Sequence, residues 1–121
     1  MSVSFYQLVI DAHDLSSLAN FWGEVLGWHV LFEADDEIVI GANAAALPGI
    51  CFVPVGERKT VKIRLHIDLS PDDQATEVER IIALGGRRAD VGQGEEATWV
   101  VLEDPEGNEF CVLSPKTSLV G

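Results

Sequence analysis

Seven side chains able to do chemistry stand on three segments that lie far apart in the chain: Gln7, Asp11, Arg64, His66, Asp68, Glu109 and Cys111. Each segment alternates in the manner of a strand with one face packed and one face free. In "KIRLHIDL", Ile63, Leu65, Ile67 and Leu69 share one face, and Arg64, His66 and Asp68 share the other. In "FYQLVID", Tyr6, Leu8 and Ile10 oppose Phe5, Gln7, Val9 and Asp11. In "NEFCVL", Phe110 and Val112 read as core, which leaves Glu109, Cys111 and Leu113 on the free face. An imidazole beside carboxylates is the set that performs general acid–base catalysis, with His66 and Glu109 as the catalytic candidates. The same types also ligate divalent ions. Two plainer readings stand beside these. Arg64 and Asp68, two apart on one face, also suit a solvated ion pair, and a lone His66 also suits a hydrogen-bonded structural role. His13 and His29 are given no role.

A site drawn from three distant strands needs elements that bring them together, and the chain supplies them twice. The first half opens with the strand "VSFYQLVIDA". Asp14 then caps a helix whose apolar stripe is Leu15, Leu18, Phe21, Trp22, Val25 and Leu26, and Gly27 ends it. "WHVLFEA", "EIVIGA" and "GICFVPV" follow as strands, with the small-residue loop "NAAALPG" between the last two. The second half repeats the order. "VKIRLHIDL" is a strand, and "SPDD" starts a helix with Ser70 as cap, Pro71 at its first position and Asp73 completing a capping-box-like pattern. Val78, Ile81 and Ile82 make its stripe and Gly85–Gly86 stop it, before the strands "RRADVG", "ATWVVLE" and "NEFCVLS".

Helices are therefore expected at about 14–27 and 71–85. From Gln7 to Gly27 is 20 positions and from His66 to Gly85 is 19, so the repeat lies in structure more than in sequence. Two βαβββ modules, about 3–55 and 61–114, predict an α+β chain with residues 1–121 as a single domain. The expected architecture is one curved, eight-stranded, mixed sheet shaped as a cup, with its helices outside and its pocket on the concave side.

The bulk numbers remove several classes of partner. With 20 acidic against 8 basic residues the net charge is -12, which repels phosphate backbones and anionic headgroups. Nucleic-acid and membrane partners are disfavoured. The apolar run "AAALPGICFVPV" is broken by Pro48, Gly49 and Pro54 and is too short to span a bilayer. "MSVSFYQLVI" has no basic region before its apolar residues, so a cytoplasmic location is expected. Cys51 and Cys111, 60 positions apart without a CxxC spacing, read as small buried residues rather than a disulfide or a structural zinc site.

"DLSSLANFWGEVLGW", "RLHIDL" and "DPEGNEFCVL", set in this repeat, resemble the vicinal oxygen chelate superfamily, in particular its glyoxalase-like and bleomycin-resistance-like domains. The resemblance runs from about Phe5 to Leu113. "DPEGN" is itself a turn, in which Pro105 fixes φ and Gly107 or Asn108 takes positive φ. Metal-using relatives carry ligands on the first and last strands of each module, and the resemblance places His66 at one such position and Gln7 at another. Where a last-strand carboxylate is implied, this chain has Cys111, with Glu109 two residues earlier. The remaining position falls near Val53, which cannot coordinate an ion. Gln7 is a weaker ligand for zinc-like ions than imidazole.

The resemblance thus implies a small-molecule ligand or substrate, a homodimer, and one of two functions. The first is a binding protein without a tightly held metal or other cofactor, using Gln7, Asp11, Val53, Arg64, Asp68, Trp99 and Cys111. Trp99 would stack on a flat ligand. The alternative is a metal-dependent lyase, isomerase or dioxygenase of the glyoxalase type, with a divalent ion on His66, Glu109 and Gln7.

Overall fold

The computed structural model describes residues 2–57, 59–61, 65–89 and 97–119. The chain divides into two units, Met1–Arg58 and Lys59–Gly121. In the first, the elements are β1 (Gln7–Ala12), α1 (Leu15–Leu26), β2 (His29–Ala34), β3 (Glu37–Gly41) and β4 (Gly49–Pro54). In the second they are β5 (Asp68–Leu69), α2 (Gln74–Ala83), β6 (Arg87–Arg88), β7 (Val100–Glu103) and β8 (Glu109–Val112). The fold is α+β, and the eight strands form two four-stranded sheets, one per unit. Their orders, β1-β4-β3-β2 and β5-β8-β7-β6, are the same topology traced twice. In both, the first strand runs parallel to the last and the remaining pairs are antiparallel.

Helix α1 follows its pattern closely. The Asp14 carboxylate accepts from the Ser17 amide at 3.2 Å, satisfying one of the donors that a helix start leaves unpaired. Gly27 closes the helix in the left-handed region (φ 65°), which lets the Trp28 amide bond back to the Gly23 carbonyl at 2.9 Å. Leu18, Phe21, Trp22 and Val25 are buried, and so are Ile38, Ile40, Ile50 and Phe52 from the alternate positions of β3 and β4. Phe21 and Trp22 meet edge to face, with ring centroids 5.4 Å apart. Burying each such large side chain contributes about 1.5–3 kcal/mol.

Helix α2 departs from expectation at its start. Ser70 is not the cap: the helix begins at Gln74, and the Asp73 carboxylate accepts from the Thr76 amide at 3.0 Å. Asp73 has the same three-residue capping geometry as Asp14, and Pro71 lies before the helix. Ser70 works elsewhere, its hydroxyl donating to the Lys116 carbonyl (3.2 Å) and accepting from the Lys116 amide (2.9 Å), which holds the segment after β8 against β5. At the first helical position, the Gln74 side-chain amide donates to the carbonyls of Thr98 (2.9 Å) and Val112 (3.0 Å). That stitches α2 to the sheet whose inner residues, Leu102, Phe110 and Val112, are buried with Val78 and Ile81 of the helix.

The second-unit strands are shorter than their apolar runs suggested. β5 contains only Asp68 and Leu69, although the Cys111 amide still donates to the Ile67 carbonyl (2.9 Å). Leu65 is 72% exposed, so the helix-facing row expected through "KIRLHIDL" is not covered at that position. Lys62, Ile63 and Arg64 lie outside the described residues, as do Asp90, Val91 and Gly92 of "RRADVG".

Candidate functional site

The turn between β7 and β8 sets the height of the last strand, and its organiser is Asp104, 1% exposed. One carboxylate oxygen accepts from the amides of Glu106 (2.9 Å) and Asn108 (3.0 Å), and the other from the Asn108 side-chain amide (2.9 Å). Gly107, at φ 84°, is the residue that takes the left-handed conformation. Asp104 has no place in the apolar alternation, which is why the alternation does not single it out. Its signal is the turn-initiating acid followed by Pro and Gly.

Beyond this turn, the parallel register places Asp68 beside Cys111 and Leu69 beside Val112. His66 precedes Asp68 by two residues, and its Nε2 lies 3.3 Å from Asp68 Oδ1. A ligand atom from each of His66, Asp68 and Cys111 can be chosen so that all three lie within 4.8 Å of one another, the only such metal-competent group of His, Cys, Asp or Glu among the described residues. The His66 and Asp68 side chains are 56% and 51% exposed, while Cys111 is half-buried. Neither cysteine is in a disulfide, and only Cys51 is the buried residue expected of each. Val101 of β7 pairs with Cys111, and Trp99, 42% exposed, stands two residues before it. Glu109 pairs with Glu103, which in turn takes the Arg87 guanidinium at 2.8 Å. Glu109 is thus on the expected strand but is not a member of the close His66, Asp68 and Cys111 group.

The first unit carries a related but chemically poorer set. Gln7 is half-buried, Asp11 is exposed, and Asp11 lies opposite a half-buried Val53. The register makes Cys51, not Val53, the counterpart of Cys111. Val9 pairs with Cys51 five residues before the cap Asp14, and Asp68 pairs with Cys111 five residues before the cap Asp73. Cys51 donates to Glu37 Oε2 at 3.4 Å, and burial, then that carboxylate, push its thiol pKa up. Glu37 escaped the reading of polar faces, although its alternation with Ile38 and Ile40 in "EIVIG" marks it. Arg64, expected beside His66 and Asp68, lies outside the described residues. An open cleft of about 550 Å³ at the start of α1, lined by His13, Asp14, Glu33 and Asp35 among others, contains none of the expected site residues.

The donor set of the second unit fits a divalent ion in type and spacing. Two ligands about 2 Å from one ion at near-tetrahedral angles stand about 3.3 Å apart, the separation of His66 and Asp68. In the first unit Val9 has no donor atom, and the Cys51 thiol is held neutral against Glu37.

Two βαβββ modules of identical strand order, each with an aspartate-capped helix and with polar groups on the first and last strands, define a duplicated-module α+β protein. The chain belongs to the family described as Glyoxalase-like domain, which matches residues 7–113. Among solved structures it is similar to a glyoxalase/bleomycin resistance protein/dioxygenase family enzyme from Burkholderia phytofirmans, at 17% identity over 94% of this chain and 100% of that one, with a TM-score of 0.74. It is also similar to the fosfomycin resistance protein FosX from Listeria monocytogenes, complexed with Mn(II) and a dihydroxypropylphosphonic acid (15% identity, 96% and 92% coverage, TM-score 0.71). A third is a bleomycin-binding protein from Streptomyces verticillus complexed with copper(II)-bleomycin (14% identity, 96% and 99% coverage, TM-score 0.62). No curated protein matches the sequence.

Proposed function

We propose that this glyoxalase-like protein binds a small organic molecule, and that it does so without a metal held tightly enough to survive purification. The observation that carries the reading is the polar set His66, Asp68 and Cys111 on one strand pair, with a half-exposed Trp99 leading into the adjoining strand. A few polar groups beside an aromatic surface suit recognition of an organic ligand. Gln7, Asp11 and Val53 are a separate candidate group within the first module. The bleomycin-binding and fosfomycin-resistance neighbours make antibiotics the first ligands to try.

The weakness of metal retention follows from the donors. Retention through dialysis needs several fixed ligands shielded from water, and here two of three lie more than half exposed. Tryptophan fluorescence titrated with metal-free bleomycin and with fosfomycin tests the ligand reading. Saturable quenching by either, lost in Trp99→Phe, supports it, and no quenching by either up to millimolar concentration counts against it. Elemental analysis of protein prepared without chelators tests the metal. About one equivalent of zinc, nickel, manganese or iron, lost in His66→Ala, would make the metal-dependent lyase, isomerase or dioxygenase the better reading. A homodimer and a cytoplasmic location belong to the same proposal. A 13.1 kDa species in light scattering at micromolar concentration would remove the dimer.

A further inference from the structure

The second module ends its strand pairing differently from the first, and the difference falls beside the candidate site. Both helix caps stand five residues after the position that pairs with a cysteine, so Ala12 of the first module matches Pro71 of the second, and Val55 matches Pro115. In the first module the Val55 amide donates to the Ala12 carbonyl at 2.8 Å, which carries the parallel ladder past β4. The matching bond of the second module has no donor, because Pro115 lacks an N–H. The Ser70 hydroxyl acts instead, one residue further on. It donates to the Lys116 carbonyl at 3.2 Å and accepts from the Lys116 amide at 2.9 Å. We propose that residues 114–117 form a strap latched by Ser70, and that Ser70 is a positioning residue that keeps His66 and Asp68 beside Cys111.

Three features support the assignment. First, β5 is an edge strand two residues long, with β8 beside it, whereas its counterpart β1 pairs with β4 over six residues. The Cys111 amide on the Ile67 carbonyl and the Leu113 amide on the Leu69 carbonyl, both at 2.9 Å, tie β5 to β8, and the latch follows directly beyond them. So short a pairing depends on what holds its end. Second, one side chain satisfies both backbone groups of Lys116, as a paired strand residue would, so the latch prolongs the edge past the point where proline interrupts it. Third, Ser70 continues the alternate positions of His66 and Asp68. A shift at Ser70 is therefore passed along the same short segment to the 3.3 Å contact between His66 Nε2 and Asp68 Oδ1 and to their group with Cys111. Ser70 and Lys116 are exposed, so water competes for both bonds and the strap opens more readily than the core. The inference rests on the reading of His66, Asp68 and Cys111 as the binding group.

The test is amide hydrogen exchange of the full chain, read residue by residue by NMR, in Ser70→Ala and Ser70→Thr. Ser70→Ala should speed exchange at Cys111 and Leu113 by about tenfold, the size expected when two hydrogen bonds of ordinary strength are lost. Val55 of the first module should keep its parent rate. Ser70→Thr keeps the hydroxyl and should restore the parent rates at Cys111 and Leu113. Ser70→Ala combined with Pro115→Ala supplies the amide that Val55 has in the first module, and should recover protection at Leu113 through the backbone. A disulfide exchange reagent should label Cys111 faster in Ser70→Ala and at the parent rate in Ser70→Thr. The proposal is overturned if only the Lys116 amide exchanges faster in Ser70→Ala, which would make the latch a tether for the tail alone. It is overturned equally if Val55 is accelerated as much as Leu113, which would mark a general loss of stability, or if neither Ser70→Thr nor Pro115→Ala restores protection. No ligand enters these readouts, so this inference and the organic-ligand reading, tested by Trp99 quenching, fail separately.

Discussion

Replacing Asp104 by alanine should damage this protein more than any exposed substitution, and the turn geometry sets the size of the effect. The carboxylate is 1% exposed and accepts three hydrogen bonds, two from backbone amides and one from the Asn108 side chain. Asp104→Ala leaves those donors without their acceptor. A hydrogen bond to a charged group contributes about 1.5–3 kcal/mol, and an unsatisfied buried donor costs about 1–3 kcal/mol. Glu106 and Asn108 are half-exposed, so water replaces part of what is lost and the lower values apply. The sum is about 3 kcal/mol, against a total of about 5–15 kcal/mol for a typical domain. For a chain of this length that corresponds to a fall in Tm on the order of 10 °C. Asp104→Asn keeps one oxygen for the two backbone amides and loses the third bond, so it should cost about 1–2 kcal/mol. Urea denaturation followed by circular dichroism measures both variants. An Asp104→Ala midpoint within about 0.5 kcal/mol of the parent, or an asparagine variant as unstable as the alanine one, would refute the turn as the anchor of β8.

Four further outcomes are expected. In the native protein at pH 8 a disulfide exchange reagent should modify Cys111 first and Cys51 only on unfolding, because burial and Glu37 raise the Cys51 pKa; equal rates would contradict this. The same raised pKa stabilises the fold below the thiol's ordinary value of 9.0 and is lost as the pH rises past it, so the alkaline fall in stability should be smaller in Cys51→Ala. The Thr76 hydroxyl and then its amide lower the Asp73 pKa, so the contribution of this cap is present above 3.8 and lost as the pH falls below that value; an acid titration of helical circular dichroism should show less of this loss in Asp73→Asn. Gly27→Ala, which forces a Cβ into the left-handed region, should cost about 1 kcal/mol in the same urea assay.

Much of the architecture was legible because two periodicities were clean. The α1 stripe and its Asp14 and Gly27 ends predict a helix that the structure realises as Leu15–Leu26. Alternation in "NEFCVL" sorts buried Phe110 and Val112 from half-buried Glu109 and Cys111. Alternation also puts His66 and Asp68 on one side, where they meet at 3.3 Å. The α2 start is ambiguous in the sequence because Ser70 and Asp73 are both good caps three residues apart, and local pattern does not rank them. Register was the larger gap. Sequence alone gives the phase of each strand but not its offset against a parallel partner, since that offset is fixed by a crossover through a helix and two other strands. For that reason the resemblance points to Val53 as the last-strand position of the first module, and the sequence does not show that Asp68 meets Cys111.

Register shows how one duplicated scaffold surrounds the same cysteine with two different sets of side chains. Each module has a first strand running into an aspartate cap five residues after the position that pairs with a cysteine. The backbone frame and the thiol are therefore common to both, and the neighbours of the thiol differ. In the first module the partner position is Val9 and a carboxylate arrives from the next strand, Glu37, which accepts a hydrogen bond from the thiol and favours its neutral form. In the second, the partner is Asp68 with His66 behind it, and Val101 pairs with Cys111 as Val39 pairs with Cys51, so Trp99 stands at the position of Glu37. An acid on the third strand thus stands beside one cysteine, while an acid and an imidazole on the first strand stand beside the other. It follows that giving the first module the side chains of the second requires changing residues at the positions of Gln7, Val9 and Glu37, with the turn, the caps and the cysteines left as they are.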